Sequence, residues 1–327
     1  MQLDIQLKRV EMAEPIAVSR GAYADAMVIV VELNDGRYRG RGECCPMAHY
    51  NESPNSVIDQ VNAIRNEIEL RHIDRTSLQS RLPAGSARNA IDCAFWDLDA
   101  KRDKTSVWEL SGISNPGYQK TAMTVVLDTP EKMAANAKTF SAFETIKLKL
   151  GPDNVVDSLR AVSAARPDAS LSIDVNEGWS RTKLDAYQSC IQAVDAVMVE
   201  QPLPADSDQE LDQFEGVPLC ADESFHTVED LERVGRYFSY GNIKLDKCGG
   251  LTHALELLKR MPDYDLKPMV GCMFSTSLAM GPALVVAAKC EFADLDGPLH
   301  LARDRRGGFR IEQGAYNINS SEVWGWS

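Results

Sequence analysis

Two lysines, three carboxylates and a third lysine recur along the chain at a nearly constant interval: from Lys149 to Asp174, Glu200, Asp222 and Lys247 the steps are 25, 26, 22 and 25 residues. One strand, one helix and their loops take about that length, so the same structural slot is being filled repeatedly. Three carboxylates crowded into one place repel strongly unless a cation neutralises them. Oxygen ligands without His or Cys favour Mg2+, with Mn2+ as a substitute, so Asp174, Glu200 and Asp222 are the expected metal ligands. Lys147 and Lys149 alternate with Ile146, Leu148 and Leu150, so on a strand both point to one face. Lysine is rarely buried without a partner. Beside a metal and beside each other the ammonium forms are disfavoured, which lowers their pKa and suits Lys149 to act as a general base. Lys247, four units further round, is expected to project from the opposite wall. Two bases facing each other across a carbon acid can take a proton from one face and return one to the other, which inverts a stereocentre. A divalent cation touching both oxygens of a carboxylate stabilises the enediolate left by loss of the α-proton, and Lys147 can donate to the same carboxylate. Schiff-base formation is the other use of a buried lysine, but an aldolase needs no carboxylate triad.

Such convergence requires elements that carry distant segments to one mouth. From residue 121 onward, short β-rich runs alternate with amphipathic stretches, at 121–127, 145–150, 170–175, 197–200, 217–221, 242–245, 268–271 and 291–295. Eight is the count of a closed β/α barrel, whose chemistry sits at the C-terminal strand ends. The lysines, the three carboxylates, Asp246 and the pair Asp294 and Asp296 all stand there. A doubly wound open sheet is the rival, yet Asp128-Thr129-Pro130 after the first run is not the glycine-rich phosphate loop it would carry. Ahead of the barrel, alternation over residues 2–9 and two β-rich runs around Asn34-Asp35-Gly36 predict a meander closed by a hairpin. Helical stripes follow, at Val57, Val61, Ile64 and Ile68 and at Ala90, Ile91, Ala94, Phe95 and Leu98. The expected fold is α/β: a modified (β/α)8-type barrel over residues 116–302 under an N-terminal α+β capping domain over residues 1–115, with the connection between them at 111–119.

The 327 residues, 44% apolar and 25% charged, exclude a disordered or fibrous chain and suffice for two structural units. A net charge of −13 disfavours nucleic acid and anionic membranes as partners. Neither a signal-like start nor a run of ~20 apolar residues is present, so a cytoplasmic location is expected. The eight cysteines show no zinc-ligand spacing and read as reduced thiols.

With ARNAIDCAFWDLDAK over residues 87–101 and the motifs KLK, DVNEGW, VEQP, ADES and IKLDKCGG, the chain resembles the enolase superfamily, and within it the muconate-lactonizing subgroup with a lysine on each side of the site. The resemblance extends over nearly the whole chain. It implies Mg2+-assisted chemistry with lysine bases and a cap completed by roughly residues 303–327. Asp294-Leu295-Asp296 and Ser19-Arg20-Gly21 make the chain similar, more narrowly, to dipeptide epimerases of the L-Ala-D/L-Glu type. There the aspartate pair holds the free ammonium of the first residue, and the arginine meets the side-chain carboxylate of a C-terminal glutamate. The function so implied is an isomerase of cell wall peptide metabolism, inverting the α-carbon of the C-terminal residue of an acidic dipeptide such as L-Ala-L/D-Glu. Thr124, Tyr50 and Cys272 join Lys147, Arg20, Asp294 and Asp296 as expected substrate-binding residues, and Asn176 and Glu223 are expected to support the metal ligands. Cys272 stands where a related subgroup would carry a histidine base, which argues against mandelate-racemase-like chemistry. His49 need not be catalytic, and His226, His253 and His300 are expected to be surface or packing residues. An N-acylamino acid racemase, an o-succinylbenzoate synthase and a cycloisomerase of the same subgroup stay open as alternatives, as does a non-catalytic barrel that binds metal or peptide. Dipeptide preference and a homo-oligomeric state are left open.

Overall fold

The computed structural model describes residues 1–18 and 21–325. Strand β1 (Gln2–Val18) pairs antiparallel with β2 (Gly21–Asn34), and β2 with β3 (Arg39–Cys44). Side chains make the β2–β3 turn: Asn34 Oδ1 accepts the Gly36 N–H at 2.9 Å, and Asp35 Oδ1 accepts those of Arg37 and Tyr38. β2 is buried on both faces. Ile29, Val31 and Leu33 pack with Val57, Val61, Ile64 and Ile68, the expected helical stripe, while Val28 packs with Met273 and Leu301 from the barrel. The helix Ser86–Asp103 crosses β3 so closely that a Cβ at Gly42 would lie 2.1 Å from the Ala90 carbonyl oxygen, so only glycine allows the contact. That helix is itself sandwiched, with Ile91 and Leu98 facing the cap core and Cys93 and Trp96 facing the barrel's core.

Segment 111–119 is more than a connection, because its end enters strand β4 (Tyr118–Lys120). The barrel strands follow: β5 (Met123–Val125), β6 (Thr145–Lys149), β7 (Ser170–Asp174), β8 (Met198–Glu200), β9 (Leu219–Ala221), β10 (Tyr240–Ile243), β11 (Lys267–Gly271) and β12 (Phe292–Asp294). They pair in parallel and in sequential order from β5 to β12. The Ala122 N–H donates to the Ala293 carbonyl at 2.8 Å, linking the two ends. This sequential, end-to-end order excludes the doubly wound alternative, whose order reverses at a switch point. Period-two alternation sorts the side chains: Ile146, Leu148, Ile173, Val199 and Leu219 face the helices, while Met198, Cys220, Tyr240 and Met269 cluster separately as the barrel's inner filling. The sixth run is displaced from its expected bounds, since β10 ends at Ile243 and the chain turns at once into a short helix, Leu245–Cys248.

Strands β13 (Arg310–Glu312) and β14 (Ala315–Asn317) form a hairpin whose second strand pairs with β4. The chain end then returns to the cap. Trp324 Nε1 donates to the Cys93 carbonyl, and the Gly325 N–H donates to Asp97 Oδ1. All eight cysteines are free, and no helix of the described residues is long and apolar enough to cross a membrane.

Candidate active site

The C-terminal strand ends and the cap enclose a cavity of about 430 Å³, lined from the cap by Ile16, Met47 and Tyr50 among others, and from the barrel by polar strand-end residues. β6 places Lys147 and Lys149 one alternation apart on the inner face. Lys147, almost wholly buried, reaches Asp294 at 2.6 Å, Glu200 at 2.7 Å and Asp174 at 3.0 Å. Lys149 donates to Asp174 Oδ2 at 2.5 Å and to Asn176 Oδ1 at 3.0 Å. The expected depression of the Lys147 ammonium is not met by the protein's own groups. Burial acts against the charge, but Asp174, Asp294 and Glu200 outweigh it and hold the amine well above its ordinary range.

The expected metal ligands are adjacent and deep. Asp174 pairs in register with Glu200, and Asp174, Glu200 and Asp222 are 1%, 0% and 1% exposed. Their electrostatics differ. Against the cost of burial, Lys147 and Lys149 hold Asp174 below the ordinary carboxylate range, and Lys244 and Lys247 do the same for Asp222. Glu200 has less help, from Lys147 and from Asn242 Nδ2 at 2.8 Å, and burial pushes it up to about 7. Three hard oxygen donors on adjacent strand ends, one of them poorly neutralised, fit a hard divalent cation such as Mg2+.

On the opposite wall the structure corrects the sequence reading. Lys247 lies on the short helix after β10, its side chain fully buried, and donates to the Asp222 carbonyl and to Asp222 Oδ1 at 2.6 Å. It does not line the cavity. Lys244, which the sequence reading passed over, does: it continues the inward phase of Tyr240 and Asn242 and donates to Asp222 Oδ2 at 2.7 Å. In the eight-strand order, β6 and β10 stand four positions apart, so Lys149 and Lys244 enter from opposite sides. Asp246 also leaves the mouth. It accepts the Cys45 N–H at 3.1 Å and Asn89 Nδ2 at 3.0 Å, fastening the cap to the barrel.

Asp294 and Asp296 both line the cavity. Asp294 Oδ2 takes Lys147, while its buried Oδ1 has no hydrogen-bond partner. Asp296 Oδ2 accepts the Thr124 N–H at 2.7 Å and meets His300 Nε2 at 2.9 Å, so His300 is a cavity residue and not the packing residue expected. Cys272 lines the cavity as a neutral thiol, pushed up by burial and by Asp296 and Asp294. From the cap, Tyr50 packs edge-on against His226 with ring centroids 5.0 Å apart, and His49 Nε2 meets Glu177 Oε2 at 3.1 Å. Glu223, expected to support the metal ligands, has a carboxylate oxygen within 4.8 Å of ligand atoms of His49 and Glu177 where cap meets barrel. Arg20 lies outside the described residues.

Comparison with known proteins gives concordant matches. Residues 2–112 match the mandelate racemase / muconate lactonizing enzyme N-terminal domain, and residues 132–322 match the enolase C-terminal domain-like family. The chain is 42% identical over 293 residues to an L-Ala-D/L-Glu epimerase of Escherichia coli K12, covering 89% of this chain and 91% of that one. It is 36% identical over 301 residues to an N-acetyl-D-glutamate racemase of a Pseudoalteromonas species, covering 91% and 95%. Its structure superposes with a TM-score of 0.95, at 38% identity and 99% coverage of both chains, on an Agrobacterium tumefaciens enolase family member with homology to dipeptide epimerases, solved with sodium and L-Ala-L-Glu.

Proposed function

The chain belongs to the mandelate racemase / muconate lactonizing enzyme family of the enolase superfamily, and from that premise we propose that it is a dipeptide epimerase, inverting the α-carbon of the C-terminal residue of an acidic dipeptide such as L-Ala-L/D-Glu. One observation carries this reading: Lys149 and Lys244 enter a single cavity from opposite walls, and that cavity also presents Asp294 and Asp296.

Asp174, Glu200 and Asp222 would hold Mg2+, which when bound would supply positive charge to stabilise the α-carboxylate as its α-proton leaves. Lys149 takes the proton from one face and Lys244 returns one to the other, with the roles exchanged for the opposite stereoisomer. The amine that accepts must be neutral and the one opposite must be an ammonium, so each turnover leaves the pair in the complementary state. Lys147 donates to the substrate carboxylate. Asp294 and Asp296 accept the ammonium of the first residue, and Arg20, on sequence grounds, meets the glutamate side chain. Thr124 fixes Asp296, and Asn176 orients Lys149. Met47 and Tyr50 close the cavity from the cap and exclude water, which strengthens every charge interaction inside. From the likeness to L-Ala-D/L-Glu epimerases we infer a place in cell wall peptide metabolism, and we expect a cytoplasmic location.

The test is incubation of L-Ala-L-Glu with the protein and Mg2+ in deuterated solvent. Deuterium at the glutamate α-carbon together with L-Ala-D-Glu supports the reading, and neither appearing overturns it. An N-acylamino acid racemase is the second reading, favoured by the likeness to the N-acetyl-D-glutamate racemase. An N-acyl substrate carries no ammonium, so it has no use for the two buried aspartates.

A further inference from the structure

Asp296 is engaged by the protein's own groups. Its Oδ2 serves both the Thr124 N–H at 2.7 Å and His300 Nε2 at 2.9 Å. His300 ends the helical turn Gly297–His300, its side chain is 11% exposed, and it faces the same cavity as Asp294, Lys147 and Lys149. The Phe274 ring stands edge-on to the imidazole, with centroids 6.3 Å apart.

We propose that His300 is a positioning residue that shares Asp296 with the ammonium of the substrate's first residue, so that capture of the ammonium expels the imidazole's proton. The inference rests on the dipeptide reading and deepens it, because it makes the free amino terminus the feature the site selects. The charge count carries the argument. Asp294 shares Lys147 with Asp174 and Glu200, whereas the one cation among the described residues that can pair with Asp296 is His300. An imidazolium there would cancel the Asp296 charge and repel an arriving ammonium. A neutral imidazole leaves the Asp296 carboxylate for it. Of the other charged groups, Lys149 opposes the imidazolium; the cavity wall also carries Lys244, Asp222, Glu223, Glu52, His49, Tyr50, Cys272 and Asp25, the last taken up by Arg9 at 2.6 Å. Burial opposes the imidazolium, but Asp296 and Asp294 outweigh it and lift His300 above its ordinary 6.5, so near neutral pH there is a proton to release. Because coupling is reciprocal, dipeptide affinity must rise with pH through the His300 titration, by about tenfold per pH unit at most.

Calorimetric titration of the Mg2+-loaded protein near pH 7, repeated in buffers of different ionisation enthalpy, counts the protons exchanged on binding. Release with L-Ala-L-Glu is expected to exceed release with N-acetyl-L-Ala-L-Glu by up to about one proton per site. His300→Gln, which keeps a donor for Asp296, is expected to lose that excess and the pH dependence of KM while kcat stays within a few-fold. Equal release by the two ligands in the wild type, or an unchanged proton count and KM profile in His300→Gln, would overturn the proposal. The wild-type comparison of the two ligands decides if the variant does not fold. Absence of α-hydrogen exchange by the wild type would strike the dipeptide reading instead, whereas failure of the His300 proposal leaves that exchange intact.

Discussion

Lys149 and Lys244 stand at the C-terminal ends of strands four positions apart in an eight-stranded barrel, and each is held by a different carboxylate, Asp174 at 2.5 Å and Asp222 at 2.7 Å. The anchors matter as much as the opposition. Each amine is tied to an expected metal ligand, so cation binding and the state of the two proposed bases are linked through shared oxygens. Lys247 shares Asp222 too, but its fully buried side chain does not line the cavity.

Lys247→Met therefore separates structure from catalysis. It removes a buried cation from Asp222, a change that costs about 3–5 kcal/mol when a buried pair is broken, although Lys244 still serves the carboxylate. The variant is expected to unfold at lower denaturant concentration while still exchanging the α-hydrogen of both stereoisomers. Loss of exchange from only one stereoisomer, with stability intact, would return Lys247 to the role of base.

Asp246 makes the cap's attachment sensitive to pH. Burial is the main cause that pushes its carboxyl up to about 7, with Glu52 and Glu43 adding to it against the bonds from Cys45 and Asn89. In the unfolded chain it titrates near 4, at roughly 3.9. Between those values the folded protein holds a proton that the unfolded chain has lost, so stability falls as pH rises from about 4 to about 7. Asp246→Asn keeps the oxygen that accepts the Cys45 N–H and cannot ionise. Its Tm is expected to exceed that of the wild type at pH 8 and to converge with it near pH 4; parallel curves across that range would contradict the argument.

The aspartate pair separates the two substrate readings. Asp296→Asn is expected to lower kcat/KM for L-Ala-L-Glu by about two orders of magnitude, the scale on which a buried partner of a charged group is felt, and to spare an N-acylamino acid. Equal loss on both substrates would remove the ammonium from the account.

With Glu200 as a ligand, Mg2+ would compete there with a proton. With Glu200 pushed up to about 7 by burial, its carboxyl keeps a proton below that pH, and cation binding must displace it. Thermal melts with and without Mg2+ are expected to show a stabilisation that grows from pH 6 to pH 8 and shrinks in Glu200→Gln. A pH-independent shift, unchanged in the variant, would place the cation elsewhere.

The barrel was legible because its period-two strands and strand-end polar residues repeat at one interval, a signal summed over most of the chain. The cap's meander and the stripe from Val57 to Ile68 were legible for the same local reason. Lys247 was read as a base because β10 was extended two residues too far. Its alternation from Tyr240 through Asn242 selects Lys244 as the inward lysine, and that signal was available in the sequence. His300 and Asp246 were not legible. His300 meets Asp296 only because a helical turn folds four residues back on themselves, and Asp246 finds partners 157 and 201 residues away. The pairing of β4 with β14 joins segments at opposite ends of the barrel region and has no local signature.

Exchange of the glutamate α-hydrogen with deuterated solvent, followed by NMR from each stereoisomer separately, tests the two-base geometry most directly in the variants Lys149→Ala and Lys244→Ala. Both are expected to lose epimerisation by about a thousandfold or more, and each to retain exchange from one stereoisomer only, the two variants being complementary. Exchange of both stereoisomers by either variant, or loss of the same one in both, would show that these amines do not work from opposite faces.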